Sequence, residues 1–314
     1  MTVAFIFPGQ GSQSVGMLAS LAGRPAVAAL LNRADAVLGE SLSRLIAEGP
    51  AEQLALTTHT QPAMLLAGLA CLAAWRGAGG GEPSYVAGHS LGEYTALTAA
   101  DSLDFDVALR LVRLRARAMQ EAVPVGVGAM AAILGLSDAQ VAQACDQARA
   151  APDGREEIVD PANYNAPSQV VIAGHKDAVD RACAAAKSLG AKRAVLLPVS
   201  APFHSRLLAP AGVLLQAALA EVELRLPRIG LINNVDVAQE SDPARIKDAL
   251  VRQAYGPVRW VELVKALEAR GVDRYIEFGP GKVLSGLVKR IVPTARIDAV
   301  HDADSLQQTL ESFQ

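Results

Sequence analysis

The chain has 314 residues, 51% hydrophobic and 19% charged, with a formal net charge of −3. That balance excludes a disordered chain and a basic nucleic-acid binder, and the length allows a large buried core in about two domains or one domain with an insertion. Cys71, Cys145 and Cys183 form an odd, widely spaced set in alanine-rich surroundings, which reads as buried thiols of a reducing compartment and not as a disulfide framework. The start of the chain lacks a basic segment followed by a long apolar one, and the longest uncharged apolar run, Ala63 to Trp75, is too short to span a bilayer. A cytoplasmic location with no membrane association is expected.

In chain order, Val3–Phe7 reads as a first strand. It enters the glycine loop Pro8-Gly9-Gln10-Gly11-Ser12-Gln13. No Gly-Lys-Ser/Thr follows, and Ser14 stands where a dinucleotide fingerprint has glycine or alanine, so nucleotide binding is not expected. The loop instead allows the backbone N–H of Gln10 to approach a ligand at the carboxyl end of the strand. Gly77 to Pro83 forms a loop that leads into Tyr85-Val86-Ala87-Gly88-His89-Ser90-Leu91-Gly92-Glu93, a short strand running into a G-x-S-x-G turn. Such a turn exposes the serine hydroxyl above the sheet and leaves the N–H of Leu91 facing the reacting oxygen, half of an oxyanion hole. A bare turn of this kind is equally compatible with Ser90 merely capping the next helix.

The helix expected over Asp106–Glu121 carries Ala108, Leu111, Val112 and Met119 on one face, with Arg115 in the middle of it. Arg110, Arg113 and Arg117 lie opposite and read as a solvated face. A core arginine needs a partner. Two readings stand: an ion pair with a carboxylate remote in sequence, or a fork that grips a substrate carboxylate. Next come strand Ala129–Leu136, helix Ser137–Ala150, strands Ile158–Tyr164 and Gln169–Ala173, helix His175–Leu189 and strand Arg193–Val199. That βαββαβ order is the split ferredoxin-like unit, and Ser137 with Gln140 forms a capping box at its first helix. The expected fold class is α/β: a hydrolase-like parallel-sheet domain, residues 1–127 and 200–314, interrupted by a small ferredoxin-like domain, residues 128–199.

His204 follows the insertion, at the start of a helix expected over Ser205–Leu219, and is the candidate general base. His89 neighbours Ser90, but adjacent residues in such a turn point different ways, so packing or hydrogen bonding is its expected job. His59, His175 and His301 read as surface or loop residues. No H-x-x-x-H, H-E-x-x-H or paired C-x-x-C is present, so no metal is expected. No triad acid stands in an obvious position either. The helix opened by Asp242-Pro243 and closed by Gly256-Pro257 holds Gln253 in its last turn. A free carbonyl there could accept a ring N–H of the histidine, or Gln253 could simply cap its own helix.

With FPGQGSQ at 7–13, TQPA at 60–63, GHSLGEY at 88–94, LVRLRARAMQ at 111–120, NYNAPSQVVIAG at 163–174, SAPFH at 200–204, VRQAYGPVRW at 251–260 and EFGPGKVLSGL at 277–287, the chain resembles, end to end, the malonyl-CoA:acyl carrier protein transacylases of bacterial fatty acid synthesis. The resemblance implies Ser90 as nucleophile, His204 as base, Arg115 as carboxylate clamp, and Gln253 as the residue whose main chain orients His204. It implies Gln10 and Leu91 as oxyanion-hole donors, Asn163 and Asn165 lining the CoA and carrier side of the cleft, and Phe203 as the malonyl-selecting residue before the histidine. Malonyl-CoA and a phosphopantetheinylated acyl carrier protein are the implied partners of a monomer that needs no cofactor. Lys282, Lys289, Arg290 and the exposed arginines are candidates for meeting an acidic carrier. The alternatives are a serine thioesterase or hydrolase using the same Ser90 and His204, a discrete acyltransferase of a polyketide synthase, and a non-catalytic docking subunit.

Overall fold

The computed structural model describes residues 2–313. The chain opens with strand β1 (Thr2–Phe7) and helices α1 (Pro25–Leu38), α2 (Leu42–Glu48), α3 (Ala51–Leu54) and α4 (Thr57–Gly77). Strand β2 (Tyr85–Gly88) and helices α5 (Gly92–Ala99) and α6 (Phe105–Glu121) follow. The second unit contains β3 (Gly128–Leu134), α7 (Asp138–Ala148), β4 (Val159–Ala166), β5 (Gln169–His175), α8 (Lys176–Ser188) and β6 (Arg193–Leu196). The remainder is α9 (Ala209–Ala220), β7 (Gly230–Leu231), α10 (Pro243–Tyr255), α11 (Trp260–Glu268), β8 (Val272–Phe278), α12 (Val283–Ile291), β9 (Arg296–Val300) and α13 (Ala303–Phe313).

Among the described residues, two sheets form. The larger is parallel, in the order β7-β2-β1-β8-β9. Its central strand β1 is apolar on both faces because helices cover both. Phe5 and Phe7 pack with α4 and with Phe278, the Phe5 and Phe278 rings 4.6 Å apart, while Ala4 and Ile6 face Leu263, Leu284 and Val288 on the other side. The long uncharged run Ala63–Trp75 lies inside α4, which is buried almost all round. A helix in that position needs no polar face. All three cysteines are buried and unpaired.

The smaller sheet is antiparallel, in the order β4-β5-β3-β6. Ser137 and Gln140 make the expected capping box. Helices α7 and α8 cover one face of this sheet with Val141, Cys145, Val179 and Ala182. Its opposite face gathers Met130, Val171 and Ala173 against Leu197, Val199 and Phe203. Two backbone bonds, Tyr164 N–H to Val258 O and Val258 N–H to Ala162 O, both 2.9 Å, tie β4 to the segment between α10 and α11. The last strand is shorter than the pattern predicts and stops at Leu196, leaving Val199 outside the ladder. The helix expected from Ser205 also begins later: a 3₁₀ turn, Arg206–Leu208, precedes α9. Pro210 sits in the first turn of α9, where its missing N–H costs no helical bond.

The crossing of β2 and α5 over β1 is close enough to dictate glycine. A Cβ on Gly88 would stand 1.8 Å from the carbonyl carbon of Gly92, and a Cβ on Gly92 would stand 2.0 Å from the carbonyl oxygen of Phe7. Among the described residues, Gly286, in α12, has nothing beyond its chain neighbours and the adjacent backbone of its own helix within 4 Å of the equivalent point. Gly92→Ala should therefore destabilise the fold by about 1–3 kcal/mol or more, whereas Gly286→Ala should leave stability unchanged or raise it by up to about 1 kcal/mol. Denaturant midpoints of the two variants check this, and equal effects would remove the packing argument.

Candidate active site

The carboxyl ends of β1 and β2 lie side by side, paired in register up to Phe7 and Gly88. The loops that follow them open into a cleft of about 270 Å³ lined by Gln10, Ser90, Asn163, Asn165, Phe203 and His204, with Met130, Val171, Leu197 and Leu287 as an apolar wall. Ser90 has φ 53°, the left-handed conformation a sharp strand-to-helix turn imposes. Its Oγ is 2.6 Å from Nε2 of His204.

His204 is 4% exposed. Its Nδ1 is 2.8 Å from the carbonyl oxygen of Gln253 and 3.2 Å from that of Gly256. Two acceptors at one nitrogen place the proton on Nδ1, so Nε2 is the acceptor for the serine hydroxyl. A main-chain carbonyl at the end of α10 occupies the place of a triad acid, and Gln253 does not cap its own helix. Asp160 is engaged elsewhere, paired with Arg206 at 2.8 Å. Burial first, and the Arg115 charge second, push the His204 imidazole down to about 3.

Arg115 is 1% exposed. Its Nη1 donates to Gln61 Oε1 at 2.7 Å, and its Nη2 donates to Gln253 Oε1 at 2.9 Å and to Ser90 Oγ at 3.2 Å. The guanidinium carbon lies 5.6 Å from the centre of the Tyr94 ring. Among the described residues no carboxylate pairs with it directly. Arg110 and Arg117 are exposed as expected. Arg113 departs from the expected solvated face, because α6 packs beside α1 and brings it into an ion pair with Glu40.

The N–H of Ser90 donates to Asn234 Oδ1 at 2.7 Å. Neither the N–H of Leu91 nor that of Gln10 has a protein acceptor among the described residues. Gln10 is itself anchored by its side chain, which accepts from Thr57 Oγ1 at 2.7 Å. His89 has the supporting job expected of it: Nε2 meets Asn165 Oδ1 at 2.7 Å and the ring packs on Trp260. Of the other histidines, His59 lies in α4 and is half-buried, and Nδ1 of His175 accepts from Ile158 N–H at 2.9 Å. The basic residues expected to face a carrier are partly engaged within the chain. Lys289 donates to Pro293 O and Arg290 to Pro167 O. Lys282 is exposed, next to Val283 on the cleft rim.

Residue-by-residue reading missed Gln61, Glu93, Asn234 and the Gly256 carbonyl. Gln61 lay within the motif TQPA and Glu93 within GHSLGEY, where the motifs were the available signal. Asn234 had none.

A profile of the acyl transferase domain family matches residues 4–306. The chain belongs to this family. It is 50% identical over 309 residues, 98% of each chain, to the malonyl CoA-acyl carrier protein transacylase of Escherichia coli K12. A solved acyl-carrier-protein S-malonyltransferase from Burkholderia pseudomallei is 56% identical and superposes with a TM-score of 0.96, covering 99% of this chain and all of that one. A malonyl-transacylase solved in complex with a type II PKS acyl-carrier protein is 48% identical, with a TM-score of 0.95 over 99% of this chain and all of that one.

The neutral imidazole of His204 has a consequence for stability. The unfolded chain protonates this histidine near pH 6.5, whereas the folded one stays neutral until about 3. Unfolding therefore takes up a proton between those values, and stability falls as pH drops through 6.5. Between pH 7 and pH 5 the loss from this group is about 2 kcal/mol. His204→Gln should lose about that much less than wild type over the same interval, measured by urea midpoints at the two pH values; parallel losses would show that His204 is not held neutral.

Proposed function

We propose that this chain transfers the malonyl group of malonyl-CoA to the phosphopantetheine thiol of acyl carrier protein, in fatty acid synthesis, through a malonyl-Ser90 intermediate. The observation that carries the reading is a buried guanidinium with no carboxylate partner among the described residues, 3.2 Å from the hydroxyl of a serine that is itself 2.6 Å from a histidine. A serine hydrolase needs only the last two. The added arginine fits an acyl group that keeps a free carboxylate.

In the first half-reaction His204 takes the Ser90 proton on Nε2 as Oγ attacks the thioester carbonyl. The N–H groups of Gln10 and Leu91 receive the developing oxyanion. The Gln253 carbonyl and the negative end of α10 stabilise the imidazolium. When the C–S bond breaks, the imidazolium returns the proton to the CoA sulfur. In the second half-reaction His204 takes the proton of the carrier thiol, which attacks the malonyl ester, and the C–O bond breaks with the proton returned to Ser90. A malonyl carboxylate seated on Arg115 also offsets the charge that depresses His204, so the correct substrate strengthens its own base. Asn163 and Asn165 offer polar contacts along the cleft, and Phe203 narrows it against a methyl branch on the acyl group. The proposed setting is cytoplasmic, the enzyme a monomer. Among the described residues, no helix is long and apolar enough to cross a membrane.

Two measurements test the reading. Intact mass after mixing with malonyl-CoA should show one malonyl group on the wild type and none on Ser90→Ala; label on the variant would sink the mechanism. Arg115→Ala removes the partner of a buried carboxylate, at a cost of about 3–5 kcal/mol. It should lower kcat/KM for malonyl-CoA by orders of magnitude while acetyl-CoA is spared or improved. Arg115→Lys should rescue only in part, since it supplies a point charge without the planar fork. If malonyl and acetyl activities fall together in a folded Arg115→Ala protein, Arg115 is not the clamp.

A further inference from the structure

Asn234 is fully buried and enters the site from the segment after β7, the edge strand beside β2. Its carboxamide bridges the nucleophile turn. Oδ1 accepts from Ser90 N–H at 2.7 Å and Nδ2 donates to the Gly88 carbonyl at 2.7 Å. The backbone of Asn234 is held on both sides as well: its N–H donates to Glu93 Oε2 at 3.0 Å, and its carbonyl accepts from Arg259 N–H at 3.1 Å. The bonded carboxylate oxygen of Glu93 is shared, since Gln253 Nε2 donates to it at 3.0 Å. Gln253 Nε2 also donates to Ser90 O at 2.8 Å. One buried set of bonds thus joins the backbone that carries Ser90 to the residue whose carbonyl orients His204.

We propose that Asn234 is a positioning residue for the nucleophile, holding Ser90 in its left-handed conformation and aligning the turn with α10. Only a carboxamide satisfies both contacts, an acceptor toward an N–H and a donor toward a C=O, in one planar group. Aspartate would set oxygen against the Gly88 carbonyl, and alanine would leave both backbone groups buried without partners. The bond at Ser90 N–H has a second effect. It ties up that donor, so the oxyanion falls to Leu91 and Gln10, and their aim depends on how Asn234 sets the turn. Glu93 supports this from below, fixing Asn234 and Gln253 with the same oxygen.

The inference rests on Ser90 being the nucleophile, and the experiment separates the two. Ser90 acylation by malonyl-CoA is followed in single turnover by quenched intact mass, and the same proteins are labelled with a small serine-directed sulfonyl fluoride, which needs no malonyl site. Asn234→Asp and Asn234→Ala should slow both reactions by about tenfold to a hundredfold, the size of effect a misplaced reacting group produces. KM for malonyl-CoA should stay within about twofold, as expected when only the chemical step is lost. Thermal melts identify the folded variants, and if neither variant folds, Asn234→Ser, smaller and still polar, decides by the same criteria. Folded variants that acylate and label within about twofold of wild type overturn the inference. So does a rise in KM alone, or a loss that follows the drop in Tm and disappears on cooling. Absence of label on wild-type Ser90 overturns the nucleophile assignment instead.

Discussion

The site is organised around a guanidinium kept in the protein interior by neutral acceptors. Ionised side chains are rarely buried unless a charge or a full set of hydrogen bonds compensates the lost water. Arg115 receives amide oxygens from Gln61 and Gln253 and the Tyr94 ring face, but among the described residues no direct carboxylate. Glu93, which burial raises to about 7 even though Gln253 and Asn234 donate to it, stands one amide away. The arrangement leaves the positive charge only partly balanced, and it faces the serine hydroxyl. In the proposed reaction, an acyl group bringing its own carboxylate would complete the balance.

Three helices meet at that charge. Helix α4 supplies Gln61, α6 supplies Arg115 and α10 supplies Gln253, and α4 and α6 pack against each other. Gln253 acts through both of its ends. Its main-chain carbonyl orients His204, and its side chain relays between Arg115, Glu93 and the Ser90 carbonyl. In the proposed mechanism a carbonyl in the last turn of a helix serves in place of a triad acid, because it lacks an intrahelical donor and carries the negative end of the dipole. It brings no second titratable group to the base.

The smaller sheet contributes shape where the larger contributes chemistry. Its helices cover one face, so the other is free to form the apolar wall of the cleft, and β4 carries Asn163 and Asn165 two residues apart into the same space. The bonds from Ala162 and Tyr164 to Val258, with Asp160 held by Arg206 two residues past His204, connect that wall to the loop bearing His204.

Several features were legible without coordinates because they depend on neighbours in sequence. The strand-turn-helix around Ser90 is written in Gly88 and Gly92, whose missing side chains are the condition for the crossing. The inward direction of Arg115 follows from helical periodicity, and the capping box from Ser137 and Gln140. The βαββαβ order marks the smaller sheet, since the short link between β4 and β5 permits only antiparallel neighbours. What the arginine pairs with, which atom orients His204, and which N–H groups stay free are relations between segments up to about 160 residues apart, and no local pattern encodes them. Only the closed fold decides that Gln253 faces Arg115, that Asn234 reaches the turn at Ser90, and that Arg113 meets Glu40, because each depends on which surfaces the packed core leaves in contact.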